Sequence, residues 1–104
     1  MKLVSIDNIP GRKYEALAIV KGTVVQTKNI GRDFMASMKT LVGGELVRYN
    51  EMMNDARALA AKRMVEEAGQ LGAEAIVCIR YGSASVTQGA AEVMAYGTAV
   101  KFKN

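Results

Sequence analysis

Three stretches of this chain read as β-strand, and none of them alternates between apolar and polar residues. They cover residues 14–27, 75–81 and 92–102. Side chains point alternately to the two faces of a strand, so a sheet wetted on one face reads with a period of two. Here Ala16, Ala18 and Val20 oppose Leu17 and Ile19, and Val77 and Ile79 oppose Ile76 and Cys78. In the last stretch Val93, Ala95 and Ala99 oppose Met94, Tyr96, Val100 and Phe102. A sheet built from these strands needs cover on both faces.

The remaining segments supply cover for one face. Residues 32–41 place Phe34, Met35, Met38 and Leu41 at helical spacing, and Gly43-Gly44 makes a corner after them. Residues 46–71 form a longer amphipathic helix whose stripe is Tyr49, Met52, Met53, Ala56, Leu59, Ala60, Met64 and Ala68, ending at Gly69 and Gly72. Lys21-Gly22 lacks the Asn-Gly or Asp-Gly chemistry of a tight hairpin, so residues 14–27 are expected to be one long bent strand. Ile9-Pro10-Gly11 is a turn that makes the N-terminus a short lead-in, and residues 82–90, small and polar, are expected to be a mobile loop. The order strand, helix, helix, strand, strand predicts one α+β domain over residues 1–104, an antiparallel sheet with both helices on one face. No segment is left to cover the other face. Neighbouring subunits are therefore expected to do so, giving a homo-oligomer. The apolar residues are mostly Ala, Val and Met, with no Trp and only two Phe, so one subunit's core buries modest area and subunit contacts would add to it.

Charge and cysteine narrow the partners. Fourteen basic against ten acidic residues give a net charge of +4, but the basic residues are dispersed and interleaved with Glu and Asp, which favours solubility over nucleic-acid binding. No apolar run is long enough to span a membrane, and Met1-Lys2-Leu3-Val4-Ser5 lacks the apolar stretch of a signal peptide. With a single cysteine, Cys78, there is no internal disulfide, and the expected compartment is the cytoplasm.

Several short motifs recur together along nearly the whole chain: Ile9-Pro10-Gly11, Asn29-Ile30-Gly31-Arg32-Asp33, Val42-Gly43-Gly44-Glu45 followed by Tyr49, Ala56-Arg57 through Arg63-Met64, Leu71-Gly72-Ala73, and Ala95-Tyr96-Gly97-Thr98-Ala99-Val100. In these the chain resembles the YbjQ-like family of bacterial and archaeal proteins, which is labelled heavy-metal-binding. The resemblance implies a dodecin-like α+β fold and a homopentamer, and it implies no established activity. Two positions depart from the pattern: Cys78 stands where similar sequences tend to have Gly, and Gly82-Ser83 where many have an acidic residue.

The residues offer little for metal or catalysis. Soft metals need thiolate, thioether or imidazole ligands, and this chain has no His, one Cys and no CxxC pair. Cys78 falls in an apolar strand and the Met residues at helical core spacing, where both act as packing groups. Without His, Ser-His and Cys-His nucleophiles are excluded; an enzyme would depend on Lys, Tyr or carboxylate chemistry. Asp33 and Glu45 flank the shorter helix with Arg32 beside them, but negative charge at a helix start has a structural role of its own. The preferred reading is a homo-oligomeric small-ligand-binding or structural assembly protein without a cofactor. The alternatives are a heavy-metal-binding protein and an enzyme without His. The candidate ligand residues are Arg32, Asp33, Glu45, Arg80 and Tyr81, charged or aromatic groups beside glycines and strand ends, suited to a small anion or metabolite held between subunits.

Overall fold

The computed structural model describes residues 1–26, 44–87 and 90–103. Its elements are β1 (Lys2–Leu3), β2 (Lys13–Gln26), α1 (Gly44–Gln70), β3 (Ala75–Thr87) and β4 (Ala90–Lys103). The strands form one sheet in the order β1-β3-β4-β2, with β1 parallel to β3 and the other pairs antiparallel.

This corrects the expected architecture. The described residues hold one helix and a four-stranded mixed sheet, in the order strand, strand, helix, strand, strand. The helix expected over residues 32–41 lies outside the described residues. The extra strand comes from the N-terminal lead-in, whose residues 2–3 pair with Ala75 and Ile76. Two residues give no readable period, so β1 was invisible to pattern. The loop expected over residues 82–90 is also corrected: β3 runs to Thr87 and β4 starts at Ala90. Gly82, Ser83 and Ala84 pair with Met94, Val93 and Glu92, so backbone pairing sustains a strand through residues of low strand propensity.

One face of the sheet holds the main core. Along α1, Ala56, Ala60, Met64 and Ala68 recur every four residues and are fully or almost fully buried against Val20, Ile76, Val93, Ala95 and Ala99. Three of the four helical positions are Ala, which lets α1 lie close to the sheet, and Gly22 occupies the point of closest approach. Leu59, expected in this stripe, is 39% exposed. The helix closes with a left-handed Gly72 (φ 76°); Ala73 N–H donates to the Ala68 carbonyl and Gly72 N–H to that of Gly69. These two bonds satisfy carbonyls that the helix end would otherwise leave free.

The other face has a lid of its own at one end. Pro10 and Gly11 (φ 77°) turn the chain, Arg12 N–H donating to the Ile9 carbonyl, and drop Ile9 onto Ala75, Val77 and Val100. The lead-in is fastened by bonds from Val4 N–H to the Ile76 carbonyl, from Cys78 N–H to Ile6 and from Ile79 N–H to Val4. Tyr14 donates its hydroxyl to the Asp7 carbonyl, and the Arg12 guanidinium stacks on the Phe102 ring at 3.7 Å. The expectation that no segment remained to cover this face is corrected here: the lead-in covers one end of it. Beyond the lead-in, Ile19 on this face is 78% exposed and Tyr96 39%, and Leu17, at the register shift between Ala16 and Ala18, is 36% exposed.

Candidate functional site

Among the described residues, two of those singled out by sequence line one groove. An open, mostly apolar groove of about 440 Å³ lies where the lead-in diverges from the edge of β3, lined by Leu3, Val4, Ser5, Ile79, Arg80 and Tyr81. Arg80 and Tyr81, neighbours in sequence, both line it but belong to opposite faces of β3, Arg80 opposite Tyr96 and Tyr81 opposite Ala95. Arg32 and Asp33 lie outside the described residues, and Glu45 sits in the first turn of α1.

A bulge builds this groove. Val77 pairs with Thr98 and Arg80 with Tyr96, so Cys78 and Ile79 together oppose Gly97. Cys78 takes a left-handed backbone conformation (φ 57°), one that favours glycine. The bulge turns two amides outward to the lead-in, the bonds from Cys78 and Ile79 noted above. A Cβ at Gly97 would lie 2.8 Å from Ile76 Cγ2 and 2.9 Å from the Val77 carbonyl, so the strand opposite the bulge must be bare.

Arg80 holds the groove's wall in place. Its Nη1 donates to the Ser5 and Ile79 carbonyls, both at 2.9 Å, bridging the lead-in to β3. The guanidinium keeps further donors for an anionic or carbonyl group, while Leu3, Ile79 and Tyr81 offer apolar contact. Such a groove can bind and position a ligand; it brings together no nucleophile and base. The contribution of residues 3–5 escaped sequence reasoning, because only the bulge at Cys78 brings them beside Arg80.

Among the described residues no cluster of His, Cys, Asp and Glu forms a metal site. The chain has no His and one Cys, and no group of three or more His, Cys, Asp and Glu converges among the described residues. Cys78 is half-buried at the margin of the cluster under the lead-in. No helix of the described residues is long and apolar enough to cross a membrane.

Comparison with known proteins places the chain among close relatives. The YbjQ family model, described as "Putative heavy-metal-binding", matches residues 1–103. A UPF0145 protein of Clostridium novyi is 56% identical over 102 residues, covering 98% of this chain and 99% of the relative. One from Thermus thermophilus is 49% identical over 100 residues, covering 95% and 88%. Among solved structures, a protein of unknown function from Pediococcus pentosaceus, assigned to the DUF74 family, superposes with a TM-score of 0.69 at 15% identity, covering 99% of this chain and 98% of that one. At that identity the likeness concerns the fold alone.

Proposed function

This chain belongs to the YbjQ family, and from that premise we propose that it is a homo-oligomeric protein that binds a small anion or metabolite rather than a catalyst. The observation that carries the reading is the open apolar stripe on the sheet, where Ile19 is 78% exposed beside Leu17 and Tyr96. Large apolar side chains exposed near one another on a small sheet suit a contact site.

Five copies is the number that the family resemblance favours.

The groove at Arg80 and Tyr81 supplies the binding half of the reading, with one cation, one phenol and apolar walls for a ligand that carries negative charge on an apolar body. The metal reading draws no support from the donor set. Native mass spectrometry of freshly purified protein tests the proposal in one spectrum, giving subunit number and any retained mass. An assembly of five carrying a small organic ligand is the expected result. Metal ions in fixed ratio to the subunits, with no organic ligand, would overturn it.

A further inference from the structure

The face of the sheet turned away from α1 carries two cations on either side of a phenol. Lys21 on β2 and Arg80 on β3 are both register partners of Tyr96 on β4, the strand between them. Val93, Ala95 and Ala99 of β4 pack with the helix, so Tyr96 points the other way by alternation. Lys21 and Arg80 are exposed, and Tyr96 is partly so. Two strand spacings, about 9–10 Å, separate the backbones of the two cations, a span that two long side chains close over the ring.

The row has donors to give and space beside it. Arg80 uses Nη1 for the Ser5 and Ile79 carbonyls, and its Nη2 and Nε are left to donate. The next residue of β3 on this face is Gly82, opposite Met94, and among the described residues a Cβ there would meet nothing within 4 Å. Among the described strand residues of this face the one carboxylate is Glu92, four residues from Tyr96 along β4, about 13 Å away.

We propose that the row Lys21, Tyr96 and Arg80 binds a phosphate group, either inorganic or carried by a small organic molecule. The Lys21 ammonium and the Arg80 guanidinium balance its charge, the Tyr96 hydroxyl donates to one of its oxygens, and an organic body lies toward Gly82 and Met94. A planar fork, a point charge and a phenol are a donor set suited to a tetrahedral dianion. This rests on the ligand-binding reading and deepens it. Arg80 borders the groove, but the ring that completes the anion site is Tyr96 and not Tyr81, whose partner Ala95 puts it on the helix face. Charge decides the occupant. A neighbouring copy that covers Ile19, two residues from Lys21 along β2, stands about 7 Å from the row, and at +4 it brings no surplus of negative charge.

Calorimetric titration of the full chain, in a chloride buffer, with inorganic phosphate and with phenyl phosphate tests the row. One equivalent per subunit is expected; tighter binding of phenyl phosphate assigns the site to a phosphate ester, and equal binding to inorganic phosphate. Lys21→Gln and Tyr96→Phe are each expected to weaken binding about tenfold or more. Gly82→Asp, for which there is room, is expected to abolish it. Lys62→Gln removes the same charge from the exposed side of α1 and is expected to leave the affinity within about twofold. Thermal unfolding shows which variants are folded, and Lys21→Glu replaces Gly82→Asp if that chain is not. Equal weakening by Lys62→Gln would overturn the row, since net charge alone would then explain the binding. Weakening by Tyr81→Ala with Lys21→Gln unaffected would overturn it too and leave the groove as the binding site. So would a wild-type protein that takes up neither phosphate yet retains an organic ligand in native mass spectrometry.

Discussion

Gly22 on β2 lies directly under the backbone of Ala60 on α1, so close that a Cβ there would meet the Ala60 carbonyl, the Met64 amide and the Arg63 side chain. Two of these three neighbours are helix backbone, which cannot step aside. The substitution Gly22→Ala is expected to lift α1 from the sheet and destabilise the fold by about 2–3 kcal/mol or more. The urea midpoint reports this directly, and a midpoint equal to wild type would show that the helix has room.

Cys78 is the one residue other than Gly with positive φ among the described residues. Cys78→Gly is expected to relieve that strain and to leave stability unchanged or raised by up to about 1 kcal/mol, the gain offset in part by lost packing. Cys78→Val places a β-branched side chain in the same conformation and is expected to cost about 2 kcal/mol. Thermal unfolding of the two variants should therefore diverge; the reverse order would refute the strain argument.

Arg80 fastens the lead-in through the Ser5 carbonyl. Arg80→Leu is expected to destabilise by about 1–2 kcal/mol and to act locally. Hydrogen exchange should quicken at the amides of Cys78 and Ile79, which donate to Ile6 and Val4, while the Ala73 amide at the end of α1 stays protected. Uniform acceleration across the chain would mean that Arg80 supports the whole fold instead.

With no His and a lone half-buried thiol, one subunit is expected to hold no transition metal tightly. Elemental analysis after dialysis against a weak chelator should find far less than one equivalent per subunit. A stoichiometric metal would contradict the reading of the donor set.

A charge on the sheet face away from the helix separates assembly from folding only if its position is chosen from the structure. Val100 belongs to that face by alternation, but it is fully buried beneath Ile9, so Val100→Glu is expected to unfold the chain. Ile19, open to solvent, suits the purpose: Ile19→Glu is expected to give a folded monomer, seen as an unchanged far-ultraviolet spectrum with a smaller hydrodynamic radius.

What the sequence made legible was local. The Ala56–Ala60–Met64–Ala68 face follows from helical spacing, the stop at Gly72 from glycine's left-handed backbone, and the unbroken β2 from the want of turn chemistry at Lys21-Gly22. Long-range pairing was not legible. Leu3 joins the sheet 73 residues away from Ile76, its partner, and nothing in either residue marks the other. The same is true of the groove: Arg80 and Tyr81 stood out as a charge and a ring at a strand end, but Ser5, which fixes Arg80, is an ordinary residue of the lead-in. Gly22 was read as a bend; its purpose, close approach of a helix, depends on an Ala far along the chain. The bulge between Ala16 and Ala18, which offsets Leu17, likewise leaves no mark in an all-apolar run.

The central claim is that the open sheet surface around Ile19 is covered by further copies of the chain. Light scattering on size-fractionated wild-type protein at micromolar concentration tests it most directly. The account predicts a single species whose mass is a multiple of 11.2 kDa, with five copies favoured, while a stable species of 11.2 kDa would contradict it.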